Sequence, residues 1–331
     1  MSNGSRYSRM FVILGVVLMV VGIILALANF TGLGLNSFSS FNQIFGIVRS
    51  NNNDVDVERT ESVRGISHIS VASVSDNINL IPVDSDEIKA HYYGSYSTSN
   101  PDYRPELVVE KKGSQLNIEI KYQSNHVHVS FFSNLKLDVY IPMQFKDDLV
   151  INSTSGEVAV GRFELHELDY SNTSGNLNAE WIDAEKATLS TTSGETMLAG
   201  KFESFKYTTT SGNLVSDDFT SKKTEFNTTS GEISLAGQMG DVKAEAISGN
   251  LNFSYSHFGN TIEANTVSGE VEIRLPEDAG FELEYGTVSG DAQCDFAVSG
   301  SQGKKGLKGT VGSGEGAVRI NTVSGNLKIR K

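Results

Sequence analysis

Acidic residues that recur directly after a Ser-Gly pair are the side chains of this sequence most suited to binding chemistry. Glutamate follows the glycine at Glu157, Glu195, Glu232 and Glu270. Hard divalent cations favour flexible sites rich in oxygen ligands, so these four are candidate ligand-facing carboxylates for a cation or a cationic peptide. The calcium-binding nonapeptide of toxin-type β-rolls is not present in the sequence.

Histidine and cysteine offer little further binding chemistry. His126 and His128 flank Val127 and would share one strand face, where two histidines can hold a metal ion. A third ligand is not evident, so we interpret them as surface or interface residues. Cys294 is the only cysteine, which excludes an intramolecular disulfide. Its position in the repeat favours a small buried hydrophobic side chain.

Paired carboxylates hydrolyse glycosides when they flank the bond that is cleaved. Asp147-Asp148, Asp217-Asp218 and Glu277-Asp278 are instead sequence neighbours in predicted loops. The sequence contains no phosphate-binding loop, dinucleotide fingerprint, HExxH motif or nucleophile elbow. We therefore expect no catalytic residue, no cofactor and no metal site, and a protein that is not an enzyme.

The Ser-Gly pair returns with a nearly fixed period, and this period determines the elements that carry the acidic residues. The gaps between the first seven glycines are 19, 19, 18, 19, 18 and 20 residues. Such a period is typical of a repeat architecture. The structural repeat glycines are Gly156, Gly175, Gly194, Gly212, Gly231, Gly249, Gly269, Gly290 and Gly325, with a degenerate copy at Gly314.

Apolar residues occupy fixed positions in the repeats, as Leu251 and Phe253 do two and four residues after Gly249. These two positions share strand parity, so they point to one face that must be buried. One repeat cannot bury that face alone, whereas stacked repeats form a continuous core. The sequence predicts an all-β fold, a β-solenoid with coils of about 19 residues. Each glycine would lie at a corner that needs positive φ or close approach.

Glutamate and asparagine alternate almost throughout at the position after the glycine. Stacked coils lie ~5 Å apart, so glutamates in adjacent coils would repel each other. Alternation separates them and places each beside an amide, which favours a structural role for this position over cation binding. In sequence order the residues are Glu157, Asn176, Glu195, Asn213, Glu232, Asn250, Glu270, Asp291, Glu315 and Asn326.

The N-terminal segment predicts a membrane anchor. Residues 10–28 form an uncharged apolar run that is just long enough to span a bilayer as a helix, and Arg6 and Arg9 precede it. The positive-inside rule places residues 1–9 in the cytoplasm and the C-terminal body outside the cell membrane. The alternative is a secretory signal cleaved at Ala28, and it exports the body as well.

Two further regions separate this anchor from the repeats. Residues 29–59 are rich in Asn, Ser, Gly and Phe and predict a juxtamembrane linker. Residues 60–150 contain short alternating strands and are expected to cap the solenoid of residues 151–331. Within them, residues 71–82 resemble a repeat in which Ser75-Asp76 replaces Ser-Gly.

The C-terminal end of the chain predicts a guard against aggregation. Both ends of a stack of strands expose unpaired backbone groups, which invite further pairing. The chain stops on a repeat that carries Lys328, Arg330 and Lys331. These charges are expected to protect the outer edge of the last coil.

Charge excludes some partner classes. The chain has 27 Lys and Arg against 40 Asp and Glu, a net charge of -13. Nucleic acids and anionic membrane surfaces bind basic proteins, so an acidic body argues against both as partners.

An anchor, a Ser/Asn-rich linker, strands that end in Ile-Pro and repeats of the form T-[TV]-S-G-[EN] together resemble one protein family. It is the bacterial "putative adhesin" β-strand-repeat family, which includes LiaG-like membrane-anchored proteins of Gram-positive bacteria. The resemblance covers residues 60–331 for the repeats and 10–28 for the anchor. It implies a β-helical protein of the cell envelope, in a group often linked to the response to cell-wall-active antibiotics, and supplies no catalytic residues.

The expected function is binding. We expect an envelope scaffold or stress-response accessory, with a protein of the envelope or cell-wall glycan as its partner. The alternatives are a surface adhesin or glycan-binding module, a polysaccharide-active enzyme and a self-assembling filament. A glycan-binding module predicts an exposed aromatic row, for which Tyr92, Tyr93, Tyr96 and Tyr103 are the local candidates.

Overall fold

The computed structural model describes residues 51–98, 103–123, 130–303 and 306–331. The predicted tail, the predicted anchor at 10–28, most of the predicted linker, His126 and His128 lie outside the described residues. Within the described part of the chain, no helix has the length and apolar character needed to cross a membrane.

Every regular element of the described residues is a β-strand, which confirms the all-β prediction. The strands are β1 (Asn51–Ser62), β2 (His68–Ser73), β3 (Asn77–Val83), β4 (Glu87–Thr98), β5 (Arg104–Lys112), β6 (Gln115–Gln123), β7 (Ser130–Pro142), β8 (Asp148–Ser153), β9 (Val158–Asn172), β10 (Leu177–Thr191), β11 (Glu195–Thr209), β12 (Asn213–Thr228), β13 (Ile233–Ala246), β14 (Leu251–Tyr255), β15 (Thr261–Thr266), β16 (Val271–Arg274), β17 (Phe281–Gly286), β18 (Ala292–Cys294), β19 (Ser299–Gly303), β20 (Gly306–Val311), β21 (Gly316–Thr322) and β22 (Leu327–Arg330).

The strands β9 to β13 stack in parallel, one repeat above the next. Leu177 of β10 pairs with Val158 of β9 and with Thr196 of β11, each one period away. Equivalent residues of successive repeats therefore lie in one column, as the solenoid prediction requires. The residues two and four positions after each glycine are buried in these coils, and Leu214 and Ile233 are 0% exposed.

Each long strand turns corners between its buried segments. In β9 the buried side chains of Val160 and Phe163 are separated by two residues instead of one, and the same interruption follows Leu165. Two consecutive residues that face outward reverse the parity of the strand. The coil thus encloses a core, because its buried side chains point inward from several sides. Cys294 is partly buried against this core, less deeply than the sequence predicted.

The spatial order of the coils departs from the order of the sequence at the C-terminal end. The last strand, β22, lies between β16 and β18, since Leu327 pairs with both Val271 and Ala292. In the same way β21 lies between β15 and β17. The final coil of the sequence is therefore an interior coil of the stack, and β20 and β19 follow β17 as antiparallel strands.

The prediction that C-terminal charges protect the outer edge of the stack is consequently wrong, because β22 lies inside the stack. Lys328 donates a 2.6 Å hydrogen bond to Oε1 of Glu270 in the neighbouring coil. Arg330 contacts Asp295 at 3.4 Å on the other side. These side chains bridge coils within the stack instead of protecting its edge.

The N-terminal strands form the opposite end of the stack. β2 lies between β6 and β8, and β3 lies between β7 and β9, all in parallel. Val71 pairs with Ile151 and Ile78 with Val158, so residues 71–82 form the degenerate repeat that the sequence predicted. Beyond them, antiparallel pairing joins β7 to β4, β4 to β1, and β6 to β5.

The predicted linker ended too late in the sequence. Residues 51–59 belong to β1, which pairs with β4 along its whole length. Val55 and Val57 pack against the core, while Asp54, Asp56 and Glu58 alternate with them. The acidic residues make this segment polar in composition, but its alternation is that of an edge strand with one buried face.

The interior position of β22 predicts a large loss of stability on Ile329→Asp. Ile329 is 0% exposed and pairs with both Ile273 and Cys294. A carboxylate there would be buried without a partner, and we expect unfolding to become easier by about 4 kcal/mol or more. Denaturant unfolding followed by circular dichroism measures the change.

Val323→Asp is the matched control, because Val323 lies in the same C-terminal segment and is 46% exposed. It should change the free energy of unfolding by less than about 1 kcal/mol. Equal losses in the two variants would contradict the interior placement of β22.

Candidate functional site

The repeat glycines form a column in which the backbones of successive coils touch. A Cβ added at any of them except Gly156, which follows Asp76, would approach the carbonyl oxygen of the preceding glycine more closely than the 3.0 Å that real Cβ contacts keep. Gly194 alone among them has a positive φ, 108°. The sequence suggested two reasons for glycine at this corner, positive φ and close approach of the backbones. Close approach is the reason that applies along the column. In spatial order the column is Gly156, Gly175, Gly194, Gly212, Gly231, Gly249, Gly269, Gly325 and Gly290.

Asp76 begins this glycine column. A Cβ on Gly156 would overlap the carbonyl oxygen of Asp76, which therefore occupies the position of a glycine in its own coil. The Asp76 carboxylate is 2% exposed and accepts hydrogen bonds from Ser73 Oγ at 2.9 Å, from Tyr92 at 3.4 Å and from Tyr122. Burial raises the pKa of this carboxyl, and the hydroxyl donors oppose that shift. The Asp76 carboxylate and the Tyr92 ring are buried, whereas Tyr122 is partly buried, so this cluster packs into the N-terminal end of the core.

The aromatic row suggested for glycan binding is not formed as the sequence expected. Tyr92 is 0% exposed and Tyr96 is 5% exposed, so neither presents a ring face to a ligand. Tyr96 instead stacks edge-on against Tyr103 at a centroid distance of 5.5 Å. These rings fill the interior at the N-terminal end of the stack.

Acidic and asparagine residues alternate without exception along the column that follows the glycines. Each asparagine Oδ1 accepts a hydrogen bond from the backbone N–H of the acidic residue in the next coil, at 2.9–3.1 Å. In sequence the pattern breaks where Asp291 and then Glu315 follow Glu270. In space Asn326, directly before β22, lies between Glu270 and Asp291. Glu315 does not belong to the column, because Gly314 contacts no other repeat glycine. The alternation along the column is therefore complete. The donor and acceptor pairs are Glu157 to Asn77, Glu195 to Asn176, Glu232 to Asn213, Glu270 to Asn250 and Asp291 to Asn326.

The candidate carboxylates Glu157, Glu195, Glu232 and Glu270 are accordingly kept apart. An asparagine coil separates each from the next, which puts their backbones about 10 Å apart. None belongs to a group of three metal-ligating side chains within the described residues. Glu232 instead accepts a hydrogen bond from Asn252 at 2.8 Å, and Glu270 accepts one from Lys328. The geometry favours the structural interpretation of the alternation.

A groove runs along the corner before the glycines, with a volume of about 780 Å³. We call it the corner groove. Its walls are hydroxyl, amide and aliphatic side chains, and Glu245 is its carboxylate. The lining residues are Ser171, Asn172, Thr173, Ser190, Thr191, Thr192, Thr208, Thr209, Thr210, Asn227, Thr228, Thr229, Glu245, Ala246, Ile247, Asn265, Thr266 and Val267.

The residues two positions before the repeat glycines form an outward column along this corner, and their side chains change from threonine to aliphatic along the stack. In each coil the backbone N–H of the serine before the glycine donates a hydrogen bond to the carbonyl of the column residue in the preceding coil. These hydrogen bonds give the order of the column residues in space. Threonines occupy the middle of the stack, from Thr154 to Thr229. The exposed residues Ile247, Val267, Val323 and Val288 follow, and we call these four the aliphatic ladder. They are 52%, 45%, 46% and 66% exposed.

The carboxylate pairs do not converge on a cleft. Asp217 and Asp218 are exposed at a corner of β12, whereas Glu277 and Asp278 lie in a turn after β16. Asp148 differs from the other members of these pairs, because its carboxylate contacts His68 and His166 on the neighbouring coils. The sequence offered one signal for this cluster, because Asp148 and Glu167 are one repeat period apart. In the structure these two residues pair directly on adjacent strands.

Comparison with known proteins gives a family and several related folds. The family model described as Toastrack DUF4097 matches residues 66–330. Among solved structures, a "putative lipid binding protein" from Parabacteroides distasonis is 16% identical, with 83% of this chain and 97% of that chain covered and a TM-score of 0.49. A "putative adhesin" from Bacteroides fragilis is 14% identical, with 83% and 97% covered and a TM-score of 0.42. No curated protein matches the sequence.

The close contact in the glycine column predicts that Gly231→Ala destabilises the protein. Its Cβ would overlap the carbonyl group of Gly212, which is backbone and cannot move aside cheaply. Overpacking of this kind costs about 1–3 kcal/mol. Denaturant unfolding of the two proteins measures the difference.

Gly259→Ala provides the control, since a Cβ at Gly259 meets nothing within 4 Å. That variant should keep its stability or gain up to about 1 kcal/mol through the lower entropy of the unfolded chain. A Gly231 variant as stable as the Gly259 variant would show that the coils do not touch there.

The alternation predicts a salt-dependent loss of stability in Asn213→Glu. The new carboxylate would lie between Glu195 and Glu232 and would lose the 3.0 Å hydrogen bond from the Glu232 backbone. We expect a loss of about 1–2 kcal/mol at low salt that shrinks as salt screens the charges. Asn213→Ala removes the hydrogen bond without adding a charge, so its smaller loss should not depend on salt. Identical salt profiles would contradict the repulsion argument.

Proposed function

The chain belongs to the Toastrack DUF4097 family, and on that premise we propose that it acts in the cell envelope by binding, as a scaffold or stress-response accessory. The family match confirms the relationship that the Ser-Gly repeats predicted. The observation that carries the proposal is the corner groove with its aliphatic ladder, a continuous outward surface extending over many coils.

The chemistry of this surface suits a protein partner. Its threonine part offers hydroxyl donors and acceptors at the regular spacing of the coils. Its aliphatic part leaves four large apolar side chains in contact with water, which favours burial against another apolar surface. An extended protein segment with a polar and an apolar half would complement both parts.

We further propose that residues 10–28 anchor the protein in the cell membrane, with residues 1–9 in the cytoplasm and the solenoid outside. The support is the apolar run with Arg6 and Arg9 before it. A partner would then be an envelope protein that the solenoid can reach from the outer face of the membrane. A cell-wall-active antibiotic is the condition expected to change the occupancy of the groove.

Binding of cell-wall glycan is the second candidate function, and the hydroxyl and amide lining of the groove favours it. Against it, no aromatic side chain lines the groove. An aromatic ring would offer a sugar the large apolar face that such ligands commonly cover. The hydroxyl groups alone would give a weaker and less selective glycan site.

Site-specific crosslinking of the full-length protein in membranes tests the proposal. A photo-reactive residue replaces Thr210 or Val267 in the corner groove, with and without a cell-wall-active antibiotic. Lys201, which is exposed on β11 outside the groove, carries the same group as the control. We expect one envelope protein to crosslink at the groove positions and not at Lys201. Ile247→Lys together with Val267→Lys should reduce the Thr210 adduct at least tenfold.

Other results would favour the alternatives. Adducts that contain only glycan would support the second candidate function. Adducts that contain only a second copy of the chain would support a filament. Equal crosslinking from the groove and from Lys201 would remove the groove from the proposal.

A further inference from the structure

Four polar side chains meet on the outer surface where the N-terminal coils join the regular repeats. They come from three adjacent strands: His68 from β2, Asp148 from β8, and His166 and Glu167 from β9. His68 pairs with Asp148, and Asp148 pairs with Glu167, so the coils place them side by side. Neither the groove nor the alternating column includes them.

The distances within this cluster are those of direct contacts. His166 Nδ1 lies 2.6 Å from Asp148 Oδ1, and His68 Nε2 lies 2.9 Å from Asp148 Oδ2. Ligand atoms of Asp148, His166 and Glu167 all lie within 4.8 Å of one another. The Asp148 carboxylate is 22% exposed and that of Glu167 is 24% exposed, so both are partly shielded from water.

We propose that Asp148, His166 and Glu167 form a binding site for a divalent transition-metal ion, with Zn²⁺ as the ion that fits best. One imidazole nitrogen and two carboxylate oxygens are ligands that zinc accepts at about 2.0–2.2 Å. Tetrahedral ligands at that distance lie about 3.3–3.6 Å apart, as follows from those bond lengths. Small side-chain rotations bring the three groups from their present separation to that geometry, and the fourth position is left for water.

Repulsion between the carboxylates supports a cation at this place. Along the column after the glycines, an asparagine separates every acidic residue from the next. Asp148 and Glu167 are instead directly paired on adjacent coils, about 5 Å apart along the stack. Two carboxylates at that spacing are destabilising unless positive charge lies between or beside them.

Positive charge is supplied beside these carboxylates by a lysine. The Lys186 ammonium contacts Glu167 from the next coil and is 57% exposed. A metal ion would replace the proton on His166 Nδ1, and Lys186 would move into solvent.

His68 and Glu185 have supporting positions around the same three residues. The 2.9 Å contact of His68 Nε2 with the second oxygen of Asp148 holds that carboxylate in place, as partners of metal ligands commonly do. Glu185 Oε2 lies 3.9 Å from His166 Nε2, the ring nitrogen that would not bind the metal. Bound metal would link β8 to β9 and so stabilise the contact between the N-terminal coils and the repeats. This inference does not depend on the function proposed for the corner groove.

Metal titration of the purified full-length protein tests the site. Calorimetry with Zn²⁺ measures affinity, and the visible absorption of Co²⁺ reports a tetrahedral site with nitrogen and oxygen ligands. We expect one Zn²⁺ per chain and an increase in the melting temperature. His166→Ala and Asp148→Asn should each weaken binding at least tenfold, and Lys186→Met should strengthen it several-fold by removing the competing cation.

His91→Ala is the matched control, because His91 also contacts two carboxylates, Asp56 at 2.8 Å and Glu58 at 3.9 Å. Those three residues do not form a group of close ligand atoms, so the variant should bind Zn²⁺ normally. Glu167→Gln keeps the shape of its side chain and tests the site if His166→Ala fails to fold. Absence of Zn²⁺ binding, or binding that survives His166→Ala and Glu167→Gln, would overturn the proposal.

Discussion

The contact between backbones in the glycine column is the constraint on which the rest of this structure depends. Each repeat glycine lies so close to the carbonyl group of the preceding coil that no side chain fits between them. The contact fixes the coil spacing at one corner, and the strands on either side then pair in register over their length. Residues at a given distance from the glycine must consequently form columns, inside as a core and outside as ladders. The column begins at Asp76, whose side chain meets the hydroxyls of Tyr92 and Tyr122.

Columns of identical spacing impose electrostatic rules that depend on order in space. Equivalent residues lie about 5 Å apart, so like charges in neighbouring coils oppose the stacking that aligns them. The position after the glycine meets this rule by alternation, and it does so completely only because β22 places Asn326 between Glu270 and Asp291. The surface around Asp148 departs from the rule, because its carboxylate and that of Glu167 are adjacent. Two histidines contact the Asp148 carboxylate, and the Lys186 ammonium contacts that of Glu167.

Features encoded within one repeat could be predicted from the sequence, and features that join distant segments could not. The period, the buried positions and the degenerate repeat with Asp76 are all local patterns, and the structure reproduces them. The position of β22 depends on pairing with Val271 and Ala292, which the period does not specify. The aliphatic ladder was missed for the same reason, because Val323 precedes Val288 in space but follows it in sequence. His68 and Asp148 belong to separate regions of the sequence, and pairing of β2 with β8 joins them.

The intercalated coil also connects the folding of the stack to the formation of the aliphatic ladder. Val323 continues the ladder from Val267 to Val288, and it reaches that place only when β21 and β22 lie between the coils on either side. The same segment completes the core through Val318 and Ile320, which are 0% exposed. Before it inserts, the exposed aliphatic side chains would lack a continuous row, and the neighbouring strands would have unpaired edges. The continuous ladder therefore exists only in the fully stacked protein, because one of its four residues comes from a coil that lies between coils formed earlier in the sequence.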